Sequence, residues 1–218
     1  RGVDEIAKKN ISRLYNVLSF YELYADSTPA GDKSKNMLDR WIISRLEELV
    51  KTSTEGYENY RVDVAVRPIT DFIDDFSVWY LRRSRDRFKE NGLDKKDALA
   101  TMRYVLCSIS KVMAPSMPFF AEYIFKKIRE TDECESVHLC SWPKLNKKKI
   151  DKDLEEKMNE ARLIVNLALA ERIVKGIKVK QPLAKLKVKS KKFKVLEEGL
   201  LNLIKDEVNI REVIFDGN

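Results

Sequence analysis

Between Ile69 and Tyr80, apolar side chains recur at intervals of three and four residues, the spacing of one face of an α-helix. The residues of this stripe are Ile69, Phe72, Ile73, Phe76, Trp79 and Tyr80. Because four of the six side chains are aromatic, the stripe must be buried against other parts of the chain. We therefore predict a helix from about Asp63 that stops at Asn91 and Gly92.

Four arginines follow the stripe within the sequence WYLRRSRDRF, Trp79–Phe88. At about 100° per residue, Arg83 and Arg87 continue the line of the stripe, whereas Arg82 and Arg85 point to the other side. A guanidinium group is planar, always charged and matches phosphate oxygens or the edge of a guanine base. This arrangement predicts contact with RNA.

A purely structural role for the same arginines is the alternative. Arginines near the end of a helix complement its dipole, and Arg82 can pair with Asp86 four residues later. In that case Arg83 and Arg87 cap a helical bundle and read no bases.

The same periodicity predicts further helices before and after this one. They run from about Val3 to Ala25, from Asn36 to the region of Gly56, from Asp94 to Ala114 and from Pro118 to Arg129. In the last of these, Phe119, Phe120, Tyr123, Ile124 and Ile128 are expected to face inward. Short turns between amphipathic helices make a bundle the economical fold, so the predicted class is mainly α. Trp41 and Trp79 lie on apolar stripes and are predicted to be packing anchors.

The excess of positive charge lies entirely in the last third of the chain. The net charge is +7, and residues 144–218 hold 19 lysines and arginines against 12 acidic residues. Between Lys175 and Lys194 there are nine lysines and no acidic residue. Such a segment attracts a polyanion, for which RNA and an acidic membrane surface both qualify.

A second domain is predicted after Pro143, giving domains at 1–143 and 144–218. A long helix from about Asp151 to Lys175 should end at Gly176. A short strand around Leu186 and Val188, a helix over 195–205 and a strand over 210–215 should then form a small parallel α/β unit.

The sequence offers little for catalysis. His138, the single histidine, lies between Cys134 and Cys140, but the spacing fits no zinc ribbon and a fourth ligand is missing, so we predict no metal site. No glycine-rich phosphate loop and no nucleophile signature is present.

Three cysteines without a disulfide pattern indicate a reducing, cytoplasmic compartment. No apolar run reaches membrane-spanning length, so no membrane is expected. The chain is predicted to bind, not to catalyse.

Taken in order, several segments resemble the C-terminal half of isoleucyl-tRNA synthetase, a class I aminoacyl-tRNA synthetase. They are NMLDRWIISRLEELV at 36–50, WYLRRSRDRF at 79–88, MAPSMPFFAEYIF at 113–125, SVHLCSWP at 136–143 and KVKQPLAKLKV at 178–188. Synthetases for valine and leucine share the Leu-Asp-Arg-Trp helix and the Ala-Pro turn. The arginine-rich run and the Lys-Gln-Pro-Leu segment are more similar to the isoleucine enzyme.

The resemblance implies a helical anticodon-binding domain followed by a basic junction region. Its partner would be the anticodon stem-loop of isoleucine tRNA, bound by a monomer. The candidate tRNA-binding residues are Arg83, Arg87, Arg82, Arg85, Tyr80, Lys175, Lys178, Lys180 and Gln181. The family's adenylate-forming signatures have no counterpart here, so ATP and Mg²⁺ would belong to a separate catalytic domain and this chain would need no cofactor.

Two alternatives remain open from the sequence. One is the anticodon-binding domain of a valyl-type synthetase. The other is a helical scaffold without enzymatic context that binds protein or acidic surfaces through its basic end. A protein-binding scaffold would expose apolar anchors in a groove, whereas the specialised residues of this chain are cationic.

Overall fold

The computed structural model describes residues 2–90, 92–130, 134–189 and 197–216. The chain forms two compact units, Arg1–Asp151 and Lys152–Asn218. The first unit is helical, and the second combines helices with a two-stranded sheet. The predicted fold class, a mainly α bundle followed by a small α/β piece, is therefore confirmed.

The predicted helices of the first unit are present. They are α1 (Gly2–Tyr24), α2 (Met37–Glu58), α3 (Val62–Asp74), α5 (Leu93–Met113) and α6 (Pro118–Ile128). Asn36 caps α2 as predicted, because its side-chain oxygen accepts a hydrogen bond from the backbone nitrogen of Leu38 at 3.0 Å.

The helix that begins as α3 changes its hydrogen-bonding pattern before it ends. A π-helical segment, Asp75–Leu81, follows α3 and leads into the short helix α4 (Arg82–Ser84) and a 3₁₀ turn (Arg85–Phe88). The helical stretch thus ends at Phe88, before the predicted stop; Asn91 lies outside the described residues. The apolar stripe therefore spans α3 and the π-helical segment, whereas the four arginines lie on α4 and the 3₁₀ turn.

The apolar stripe forms the centre of the first unit. Ile69, Phe72, Ile73, Phe76 and Tyr80 are at most 1% exposed, and the rings of Phe76 and Tyr80 stack at 5.7 Å. Each such side chain stabilises the fold by about 1.5–3 kcal/mol through its burial. Trp41 and Trp79 are buried as well, so their predicted role as packing anchors is confirmed.

The inward orientation predicted for two aromatic residues of α6 is wrong. Phe119 is 91% exposed and Tyr123 is 41% exposed. The buried positions of α6 are Ala121, Ile124, Phe125 and Ile128, so the prediction is confirmed for Ile124 and Ile128. Phe119 lies outside that face.

Residues 144–151 belong to the first compact unit. The backbone nitrogen of Asn146 donates to Oε2 of Glu47 at 2.8 Å, and the backbone nitrogen of Asp151 donates to Oγ of Ser44 at 2.8 Å. Both acceptors lie in α2. The compact units therefore divide after Asp151, whereas the predicted domain border lies after Pro143.

The second unit contains α7 (Lys152–Val174), β1 (Leu183–Lys189), α8 (Glu198–Val208) and β2 (Ile210–Asp216). The two strands are parallel, with Leu183 opposite Ile210 and Lys189 opposite Asp216. The predicted order of strand, helix and strand is confirmed, with the helix at Glu198–Val208; residues 195 and 196, where it was predicted to begin, lie outside the described residues. Gly176, with φ at +65°, ends the α7 region as predicted.

Candidate nucleic-acid interface

Arg87 is held inside the first unit by two carboxylates. Its Nη1 and Nη2 donate to both oxygens of Asp39 at 2.8 and 2.7 Å, and its Nε and Nη2 donate to Asp94 at 2.8 and 2.7 Å. The side chain of Arg87 is 11% exposed and that of Asp39 is fully buried. Burial opposes the charge of Arg87, but the hydrogen bonds to Asp39 and Asp94 outweigh it and raise the pKa of the guanidinium.

Tyr80 belongs to the same network. Its hydroxyl donates to Oδ1 of Asp39 at 2.8 Å, and its ring is fully buried. Ser34 donates to the other oxygen of Asp39 at 2.6 Å. Burial, together with the charge of Asp39, raises the pKa of Tyr80 well above its ordinary value of 10, so the hydroxyl remains a donor.

These contacts correct the predicted site at two positions. Tyr80 has no surface that RNA could touch in this fold. The fork of Arg87 already binds Asp39 and Asp94, which is the geometry of a structural ion pair and not of a base-reading donor. The physical reason is that a buried carboxylate in α2 needs a compensating charge. Arg87 therefore fits the structural alternative.

Arg83 lies over the ring of Trp79, with Cζ 3.0 Å from the ring centroid. Its Nη1 donates to the backbone oxygen of Trp79 at 3.1 Å. The side chain is half-buried. Stacking on an indole fixes the plane of the guanidinium, so Arg83 is a rigid cation at the edge of the apolar core.

Arg82 and Arg85 are exposed. Arg85 lies 5.9 Å from the ring centroid of Phe20. Asp86, between the arginines, forms an ion pair with Lys89 at 2.7 Å. The exposed arginines of this region are thus Arg82 and Arg85, the two predicted to face away from the apolar stripe, and Arg83 beside them is half-buried.

The candidate residues of the second unit are all accessible. Lys175, Lys178, Lys180 and Gln181 are exposed, and they lie on the segment from the end of α7 to the start of β1. We call residues 175–182 the basic loop. Three more exposed lysines, Lys185, Lys187 and Lys189, lie on β1; Lys191, Lys192 and Lys194 lie outside the described residues.

The side chain of Arg172, which is 3% exposed, holds the backbone of the basic loop through hydrogen bonds. Nη1 of Arg172 donates to the backbone oxygen of Lys178 at 3.1 Å. Nη2 donates to the backbone oxygens of Gln181 at 3.0 Å and Asn209 at 3.1 Å. These contacts hold the backbone of the basic loop at Lys178 and Gln181.

Asn209 completes this support from the end of α8. It adopts the left-handed conformation, with φ at +52°. Its side-chain nitrogen donates to the backbone oxygen of Val179 at 2.9 Å, and its backbone oxygen accepts from the nitrogen of Leu183 at 3.1 Å. The middle of the basic loop and the first residue of β1 are thereby tied to Asn209, which directly precedes β2.

The segment around His138 has a packing role. The backbone nitrogen of Val137 donates to Glu122 at 2.8 Å, and Nε1 of Trp142 donates to Thr54 at 2.8 Å. His138 itself is exposed. In the part of the chain that the structure describes, no group of three or more histidine, cysteine, aspartate or glutamate side chains is placed to hold a metal ion. Among the same residues, no helix is long and apolar enough to cross a membrane.

Sequence reasoning missed the three residues that organise these surfaces, namely Asp39, Arg172 and Asn209. Asp39 lies in the Leu-Asp-Arg-Trp motif, where an acidic residue close to the buried Leu38 and Trp41 is a detectable signal. Arg172 follows the apolar period of α7 at a buried position, and Asn209 directly follows a helix, where a left-handed cap is common.

A helical bundle with an exposed arginine cluster, followed by a basic loop on a small parallel α/β unit, agrees with one family model. The model for the anticodon-binding domain of tRNA ligase matches residues 39–189. The chain therefore belongs to the anticodon-binding domain family of tRNA ligases.

The similar curated proteins are isoleucine-tRNA ligases. That of Clostridium tetani is 41% identical over 98% of this chain and 21% of its own length. That of Chlamydia caviae is 36% identical over 99% of this chain and 22% of its own length. The chain thus spans about a fifth of the length of the curated relatives that it matches.

Proposed function

We propose that this chain is the tRNA-recognition module of an isoleucine-tRNA ligase and binds the anticodon stem-loop of isoleucine tRNA. The observation that carries the proposal is the exposure of Arg82 and Arg85 beside the stacked guanidinium of Arg83, in a chain of the anticodon-binding family. Unpaired loop bases stack on guanidinium planes and offer hydrogen-bonding edges to them.

The basic loop of the second unit is a further candidate contact for RNA. Lysine ammonium groups meet phosphates without reading bases, so Lys175, Lys178 and Lys180 would hold the RNA backbone, with Gln181 as a neutral donor. In the whole ligase, the reaction joins isoleucine to its tRNA with ATP and Mg²⁺, which this chain is not expected to bind. We further propose a cytoplasmic monomer.

A competition titration tests this function. The chain is titrated with transcribed isoleucine tRNA, with the same tRNA carrying a foreign anticodon, and with polyglutamate as a generic acidic polymer. We expect the affinity to be highest for isoleucine tRNA, lower for the tRNA with the foreign anticodon and lowest for polyglutamate. Equal affinity for tRNA and polyglutamate would instead identify a scaffold for acidic surfaces.

Single-arginine variants locate the reading surface. Arg82→Ala or Arg85→Ala should cost about 1–3 kcal/mol against the cognate anticodon and much less against the foreign one. Arg67→Ala is the matched control, because Arg67 is an exposed arginine in α3 outside the cluster. If the Arg82 and Arg85 variants behave like the Arg67 variant, these arginines do not read the anticodon.

A further inference from the structure

Arg172 is a buried cation whose terminal nitrogens donate to backbone carbonyls. It is 3% exposed, and its acceptors are the carbonyl oxygens of Lys178, Gln181 and Asn209. Removing a guanidinium group from water is costly unless hydrogen bonds compensate. The hydrogen bonds of Arg172 to backbone carbonyls compensate for its desolvation. They also fix the conformation of the basic loop.

Two of the three carbonyls that Arg172 binds belong to candidate RNA-binding residues of the basic loop, Lys178 and Gln181. Lys178 and Gln181 present their backbone oxygens to Arg172 and their side chains to solvent. Asn209 holds Val179, the residue between Lys178 and Lys180, through its side-chain amide at 2.9 Å. Within the loop, the nitrogen of Gln181 donates to the oxygen of Lys178 at 2.9 Å, which closes a turn.

We propose that Arg172 and Asn209 are positioning residues for RNA binding. They hold the basic loop in one conformation, so that Lys178, Lys180 and Gln181 meet the RNA backbone without first being ordered. This inference rests on the proposed function and adds the mechanism by which the loop contributes affinity. Ordering a loop and its side chains at the moment of binding weakens association, and a prearranged loop avoids that penalty.

Asn209→Gly is the decisive variant. Glycine adopts the left-handed conformation of residue 209 readily and retains the backbone oxygen that Arg172 and Leu183 bind. Only the amide that holds Val179 is removed. We expect the affinity for isoleucine tRNA to fall about three- to tenfold, with the charge of the chain unchanged.

A double-mutant cycle separates positioning from general stability. The two lysine substitutions, Lys178→Ala and Lys180→Ala, are made together and treated as one change. The affinity for isoleucine tRNA is measured for wild type, for Asn209→Gly, for the double lysine variant and for the variant that carries all three substitutions. If Asn209 acts through the lysines, its removal should change affinity less than about twofold once they are absent. A merely structural role would produce the same decrease in both backgrounds and would overturn the proposal.

Two further measurements complete the test. Backbone amide exchange at residues 178–181 should accelerate in Asn209→Gly without RNA present. Asn59→Gly is the matched control, because Asn59 also donates its amide to a backbone oxygen, that of Glu55 at 2.7 Å, but lies in the first unit. We expect Asn59→Gly to leave tRNA affinity within about twofold.

The outcomes distinguish this proposal from the function on which it rests. A wild-type chain that binds isoleucine tRNA no better than polyglutamate overturns the proposed function and this inference with it. Normal wild-type binding together with unchanged affinity in Asn209→Gly overturns the inference alone. Arg172→Lys, which keeps the charge but offers a single nitrogen for three carbonyls, should show the same coupling to the lysines when it folds.

Discussion

Gly56 of α2 lies directly against the backbone of Ala65 in α3: a β-carbon at residue 56 would stand 2.6 Å from the amide nitrogen of Ala65. Beside this contact, Oγ of Ser53 donates to the backbone oxygen of Ala65 at 2.8 Å. The glycine therefore permits the close approach of two helices in the core of the first unit.

Gly56→Ala should destabilise the chain despite the better helix propensity of alanine. The added methyl group meets backbone atoms, which cannot rotate away, so the helices must separate. We expect the free energy of unfolding to fall by about 1–3 kcal/mol or more in a urea titration. An unchanged or higher value would show that α2 and α3 can separate at no cost.

Arg87→Met should be among the most destabilising substitutions of a partly exposed residue in this chain. It leaves the buried carboxylate of Asp39 without its compensating charge, which costs about 3–5 kcal/mol. Urea unfolding measures the decrease in stability, and Arg67→Met, at an exposed position, should stay within about 0.5 kcal/mol of wild type.

A second variant tests whether the ion pair itself is the cause. Replacing Asp39 by Leu in the Arg87→Met background removes the orphaned charge and should restore part of the stability. If the double variant is as unstable as the sum of the single ones, packing and not charge explains the effect.

Glu47→Gln should change how stability depends on pH. Glu47 is 2% exposed, and burial raises its pKa above the ordinary value of 4.5. The folded chain therefore binds this proton more tightly than the unfolded chain does. The resulting contribution to stability is present at about pH 4.5 and is lost as the pH rises through the raised pKa.

The measurement is the difference in the free energy of unfolding between wild type and Glu47→Gln from about pH 8 to about pH 4.5. Wild type should gain stability relative to the variant as the pH falls. Glu58→Gln, at an exposed carboxylate of the same helix, is measured alongside as the control. The prediction would be contradicted if the difference in the free energy of unfolding between wild type and Glu47→Gln did not vary with pH.

Neutralising two lysines of the basic loop should weaken RNA binding regardless of the anticodon. Lys178→Gln combined with Lys180→Gln removes up to two ion pairs with RNA phosphates, and each missing pair lowers the slope of log affinity against log salt by about 0.7–0.9. Titrations of both tRNAs at several salt concentrations measure this. A change in the ratio between the tRNAs would mean that these lysines read sequence.

The helices and the parallel strands could be predicted because each depends on local patterns. Asn36 signals the start of α2, Gly176 signals the end of α7, and the apolar stripe from Ile69 defines the core face of its helix. These features require only the helical period and the known preferences at helix ends.

The orientation of the arginines could not be predicted in the same way. A step of about 100° per residue does not hold across the π-helical segment Asp75–Leu81, where hydrogen bonds join residues five apart. Beyond it, the buried face continues through Ser84 and Phe88. The role of Arg87 depends on Asp39, 48 residues earlier in the chain, and no local pattern reports such a pair.

The contacts of Asn209 bear on how the chain matures during translation. The ribosome releases the chain from its N-terminus, so the basic loop emerges before α8 and β2 are complete. Arg172 then lacks one of its three acceptors, and Val179 lacks its amide donor, until residue 209 has been made. A nascent chain would therefore carry the lysines of the basic loop before it can hold their backbone in place.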